Sequence, residues 1–110
     1  MLVTLRSHLT TLDTPRVCSA IERAVRGSAA RDPKHFQVLH SAAEREHLYL
    51  VVKASDARAL SLGMRSVTIR VARTVNDLLG RSGSLWADRW RDRALTTPGD
   101  VRRALDAHFR

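Results

Sequence analysis

Cysteine and tyrosine each occur once in the 110 residues, at Cys18 and Tyr49. A single thiol excludes an internal disulfide framework and a zinc cluster built on thiolates. No apolar run approaches the roughly 20 residues needed to cross a bilayer. Residues 1–6 lack the charged-then-apolar layout of a secretion signal, so a soluble, cytoplasmic chain is the expectation. Aromatic residues are also scarce, at 5%, and no repeat or low-complexity segment interrupts the chain. The composition is nevertheless globular, 44% hydrophobic and 27% charged, and the length suits a single domain over residues 1–110.

Acidic residues are few. Lys and Arg total 19 against 11 Asp and Glu, giving a net charge of +8. Lys34 and Lys53 are the only lysines, so arginine carries almost all of the excess. A charge this far from neutral favours anionic partners, nucleic acid first. The plainer alternative is that arginine merely fills surface positions.

Leu2–Arg6 reads as a short strand. Thr14 and Pro15 supply a cap and a first helical residue, and Val17, Ala20, Ile21, Ala24 and Val25 form an apolar stripe that predicts a helix over 15–26, loosened at Gly27. Residues 35–43 and 47–54 alternate as strands around the turn Glu44-Arg45-Glu46, an antiparallel hairpin. The first of these places Phe36, Val38 and His40 on one face; the second places His47, Tyr49, Val51 and Lys53 together. Ser55 or Asp56 then caps the longest helix, whose stripe of Leu60, Met64, Val67, Val71, Val75 and Leu78 stops before Gly80. A fourth strand is expected over 85–95 and a last helix from Gly99 onwards, after Thr97-Pro98. The order β-α-β-β-α-β-α predicts an α+β fold: one antiparallel sheet of about four strands with helices packed on one face, in the ferredoxin-like neighbourhood.

His47 and Tyr49 stand two apart on a strand and so share a face. Two histidines at that spacing would suit one divalent cation, but a neutral phenol is a poor ligand for Mg²⁺ or Mn²⁺. On the fourth strand Arg89, Arg91 and Arg93 alternate onto one face about 6.5–7 Å apart, a spacing suited to the phosphates of an extended strand. An edge strand with outward charges that block aggregation explains them equally well. Trp86 and Trp90 read as packing residues rather than base-stacking platforms, and Cys18 as a small buried residue. His35 and His108 read as surface residues, and His8 as a weak metal candidate.

At this point the chain resembles a known family, the HUH single-strand DNA transposases of the single-tyrosine type, and within it the REP-associated tyrosine transposase branch. The resemblance rests on Val3-Thr4-Leu5-Arg6, the hairpin His35-Phe36-Gln37-Val38-Leu39-His40 through His47-Leu48-Tyr49-Leu50-Val51-Val52, and Arg70-Val71-Ala72-Arg73-Thr74-Val75-Asn76. It continues through Gly80-Arg81-Ser82-Gly83, Leu85-Trp86-Ala87-Asp88-Arg89-Trp90 and Thr97-Pro98. It implies an HUH endonuclease-type fold, a divalent metal held by two motif histidines, and a tyrosine on the long helix that forms a covalent 5′-phosphotyrosine link. It also implies single-stranded DNA carrying an imperfect hairpin as substrate; many members dimerise through the sheet, whereas the REP-associated ones often act as monomers.

The sequence departs from that pattern at both decisive places. His47 matches the first motif histidine, Tyr49 stands at the second, and the long helix offers Val71, Thr74 and Val75 where a tyrosine belongs. The expectation is therefore a chain without catalytic residues, His47 and Tyr49 marking a degenerate site. No cofactor is expected, and His47 is only a weak metal ligand; Mg²⁺ or Mn²⁺ would matter only to a residual activity. Binding of single-stranded or hairpin DNA through Arg70, Arg73, Arg89, Arg91 and Arg93 is expected to survive, with no membrane partner and a homodimer as one arrangement the resemblance allows. Two alternatives stay open: an active metal-dependent transposase with an atypical site, and a protein-interaction module on the same fold.

Overall fold

In residues 47–54 the aliphatics Leu48, Leu50 and Val52 alternate with His47, Tyr49, Val51 and Lys53, and this segment forms the strand around which the sheet is built. The computed structural model describes residues 1–109. The chain runs β1 (Leu2–Arg6), α1 (Pro15–Ala29), β2 (Phe36–Ala43), β3 (His47–Ala54), α2 (Ala57–Leu79), β4 (Arg91–Arg93) and α3 (Pro98–His108). The four strands form one sheet in the order β2-β3-β1-β4, every neighbouring pair antiparallel. The α+β class and the element order agree with the expectation from sequence.

Leu48, Leu50 and Val52 of β3 and Val3 and Leu5 of β1 point to one face, where α1 and α2 cover them. There Val17 and Ile21 of α1 meet Met64, Val67, Val71 and Val75 of α2, all of them buried. The other face carries Leu2 and Val51, and α3 lies against these two through Ala104. So α1 and α2 share one face as expected, while α3 takes the opposite one.

The helix boundaries follow their caps. Asp56 Oδ1 accepts from the Ala59 N–H at 2.7 Å at the start of α2, and Gly80, with φ 62°, ends that helix in the left-handed conformation glycine tolerates. Thr97 Oγ1 accepts from the Asp100 N–H at 3.1 Å at the start of α3. Thr14 sits before α1 in extended conformation, yet its hydroxyl donates to the Thr11 carbonyl at 2.9 Å and caps nothing. α1 also runs through Gly27 to Ala29 instead of stopping at Arg26.

Two expectations about the strands are corrected. Val38 pairs with Val52 but His40 pairs with Val51, so a bulge at Leu39 turns His40 away from the face of Phe36 and Val38. The expected strand over 85–95 is broken in two. Trp86 bridges Ser7 and Arg91 pairs with Thr4, so four residues, 87–90, oppose only Leu5 and Arg6. The surplus leaves the ladder, and only Arg91–Arg93 remains strand. Arg89 therefore does not lie on β4; its guanidinium sits 5.5 Å from the centre of the Trp90 ring. Both tryptophans pack partly buried against the main core, and Trp86 Nε1 donates to the Thr68 carbonyl at 3.0 Å.

Gly63 of α2 faces Phe36 so closely that a Cβ there would fall 2.3 Å from the ring. Gly63→Ala gains helix propensity of about 1 kcal/mol but overpacks a ring that has little room to yield, at a cost of about 1–3 kcal/mol. We expect net destabilisation in urea unfolding, largely relieved by adding Phe36→Leu. A more stable single variant would refute this packing account.

Candidate nucleic-acid interface

Pairing fixes which side chains share a face, because directly opposed residues on neighbouring strands project the same way. Across the face opposite α1 and α2, one row reads Ala42, Tyr49, Thr4, Arg91, and the next reads His40, Val51, Leu2, Arg93. His47 and Arg6 stand opposite each other in a third. Arg91 and Arg93 are thus presented by an edge strand on the same face as Tyr49, with Thr4 between Tyr49 and Arg91. At about 4.8 Å per strand, Arg91 begins about 10 Å from the Tyr49 backbone.

Aromatic rings crowd the middle of this face. The Tyr49 ring lies 5.8 Å from that of His47 and 3.8 Å from that of His108, stacked on both. His108, expected on the surface, is instead half-buried over Tyr49, because α3 crosses this face. Phe109 meets His40 edge-on at 5.9 Å. Burial pushes the Tyr49 phenol above its ordinary pKa, and the neighbouring Glu44 carboxylate pushes the same way by its charge and a hydrogen bond. A phenol so placed holds its proton more tightly than a free tyrosine and is a weaker nucleophile at neutral pH.

The residues present do not fit a divalent cation. His47 and His108 flank Tyr49 as parallel rings, and no second imidazole stands beside His47 on β3. Among the described residues, no group of three or more His, Cys, Asp or Glu side chains is arranged to hold a metal ion. His8 is exposed beside the segment after β1, its N–H bonded to the Leu85 carbonyl at 2.8 Å, and His35 is exposed and paired with Asp32 at 2.9 Å.

The long helix is a second correction. Val71 and Val75 are fully buried behind the sheet, so α2 presents no side chain to His47 and Tyr49. The helix that reaches them is α3. Arg70 and Arg73 consequently line a groove on the helix layer, away from β4. Of the five arginines expected to bind DNA, Arg91 and Arg93 stand on β4, Arg70 and Arg73 on the helix layer, and Arg89 on neither; helical spacing does not say which face of a sheet a helix will cover. His108 and Glu44 are the members of the aromatic cluster that sequence reading missed; the His108 imidazole lies 3.8 Å from the Glu44 carboxylate.

Compared with known structures, this arrangement is the fold of transposases. A crystal structure of a candidate transposase from Deinococcus radiodurans R1 superposes with a TM-score of 0.67 at 10% identity, over 96% of this chain and 87% of that one. A REP-associated tyrosine transposase bound to a REP hairpin superposes with a TM-score of 0.70 at 15% identity, over 96% of this chain and 61% of that one. The chain is therefore similar throughout its length to transposases, and it spans about three-fifths of the hairpin-bound protein. No protein-family model matches, and no curated protein matches.

Arg6 Nε donates to Asp88 Oδ2 at 2.7 Å, tying the loop before β4 to the sheet. That hydrogen bond, with the charges of Arg6, Arg91 and His8, holds the Asp88 carboxyl below its ordinary pKa. A carboxyl lowered on folding stabilises the fold above its unfolded pKa, about 4, and loses that contribution as pH falls through its folded value. Both partners are about half exposed, so the effect is small. Melting temperatures from pH 2 to 7 should show wild type above Asp88→Asn near neutrality, with the two curves converging in acid. A gap that stays constant would clear this pair of the role.

Proposed function

We propose that this chain is a DNA-binding protein on a transposase fold, gripping single-stranded or hairpin DNA at the sheet edge without cleaving it. The observation that carries the reading is the likeness, over 96% of the chain, to a transposase bound to a hairpin. The +8 charge and the pair Arg91 and Arg93 on an exposed edge strand support it. Asp88 is hydrogen-bonded to Arg6, while Arg91 and Arg93 are exposed to solvent on β4.

Absence of cleavage is supported by chemistry. A metal clamp contributes several kcal/mol of transition-state stabilisation, and covalent strand transfer requires a nucleophile. The chain's single tyrosine is stacked between two imidazoles with its phenol held protonated, and the residues beside it do not form a cation site. Binding is spread over many phosphate contacts and does not depend on either feature.

The test is a titration of a labelled single-stranded hairpin at several salt concentrations, with and without Mn²⁺. The expected result is binding whose log affinity falls with log salt, no cleavage, and no protein–DNA adduct. Arg91→Ala combined with Arg93→Ala should lower the slope by about 0.7 for each phosphate contact removed. An unchanged slope clears β4 of the role, and a covalent adduct restores the transposase reading.

A further inference from the structure

On the far side of the molecule a groove of about 600 Å³ runs between the end of α1, the start of β2 and the outer stripe of α2. Its two halves differ in chemistry. Leu62 and Ile69 supply an apolar wall that is 55% and 42% exposed, with Phe36 at its floor. Arg65, Arg70 and Arg73 of α2 and Arg31 beyond α1 line the rest. Asp32 is the one carboxylate in the lining, and it is paired with His35. Four guanidinium groups facing one acid repel each other, and the resulting potential attracts an anion.

Two further observations point to a ligand. Ser28 is only 4% exposed, and both its hydroxyl and that of Ser66 are shielded from solvent with no hydrogen-bond partner among the described residues. A helical serine ordinarily turns back to bond a carbonyl of the preceding turn. Here both hydroxyls belong to residues lining the groove, and both are left unsatisfied. The Arg70 guanidinium lies across α1 at Gly27, where a Cβ would come within 2.9 Å of it. The missing side chain at Gly27 leaves the space that the Arg70 guanidinium occupies.

We propose that this groove binds a nucleoside monophosphate, either free or as an unpaired unit of a strand. The phosphate meets Arg70 and Arg73, the base covers Leu62 and Ile69, and the two serine hydroxyls, shielded in the free protein, turn outward about χ1 to meet sugar and phosphate oxygens. Inorganic phosphate alone would leave the apolar wall bare and most of the volume empty. A fatty acid would bring a single charge and nothing for the hydroxyls.

Calorimetric titration with deoxyadenosine monophosphate, deoxyadenosine and inorganic phosphate tests this without any hairpin, so the result is read separately from DNA binding at β4. The nucleotide should bind at least about tenfold more tightly than either fragment. Arg70→Ala with Arg73→Ala, both exposed positions, should weaken it about tenfold or more without lowering the melting temperature. Ser28→Ala should weaken nucleotide binding several-fold while raising the melting temperature of the free protein, because it removes an unsatisfied hydroxyl. Displacement of the nucleotide by a single-stranded oligonucleotide but not by duplex assigns the site to a strand; no displacement assigns it to the free nucleotide, and either supports the groove. Equal affinity for inorganic phosphate and nucleotide, an acidic peptide binding where the nucleotide does not, or undiminished binding in the double arginine variant overturns the proposal.

Discussion

The two-sided commitment of β3 governs the molecule. Leu48, Leu50 and Val52 are buried against α1 and α2, while His47, Tyr49 and Val51 face α3. A strand with a period of two cannot slip by one residue without exchanging these sets, which would put an imidazole and a phenol into the main core and the large aliphatics under a short, highly charged helix. Because β3 is central and pairs with both β1 and β2, its register sets theirs, and β1 in turn sets β4. The positions of Arg91 and Arg93 are therefore consequences of where Leu48 and Leu50 must go.

The same commitment separates the charges. A net +8 on a small chain brings self-repulsion, and the fold distributes it rather than neutralising it. One set of arginines stands on β4, where the surplus of residues 87–90 breaks the ladder and brings Asp88 to Arg6. Another lines the helix-layer groove, where Gly27 makes room for Arg70. Between the two lies the full thickness of sheet and helices, so a single short strand of nucleic acid does not meet both sets at the sheet edge. The arginines of α2 and those of β4 thus belong to two surfaces with that layer between them.

What was legible in the sequence had local causes. The stripe from Leu60 to Val75, the alternation in residues 47–54, the Asp56 cap and the stop at Gly80 each depend on neighbours within a turn or a strand, and each appears where periodicity and capping chemistry put it. What was not legible depends on long-range partners. The bulge at Leu39 exists because β2 must match β3, and the break at 87–90 exists because that segment is two residues too long for β1. The place of His108 was hidden for the same reason: nothing within α3 says that it will cross Tyr49. The candidate site divides likewise. That no second histidine stands beside His47 on β3 and no tyrosine lies in α2 was plain from the residues, whereas the helix that reaches His47 and Tyr49 was misjudged, since Val71 and Val75 show only that α2 is buried, not on which side of the sheet.

Gripping and cutting a strand make different demands on a fold. Cutting needs a few groups within tenths of an ångström of a productive geometry. Gripping needs positive charge near phosphate, and the loss of any one arginine removes only one contact among several. Substitutions at Tyr49 leave the aliphatic face of β3 untouched, because Tyr49 lies on the side away from Leu48 and Leu50. The phenol even finds a structural use there, stacked against His108 and fastening α3 to the sheet. Position 49 is thus a packing position that the aliphatic core does not depend on, and the arginines of β4 take their register from β1.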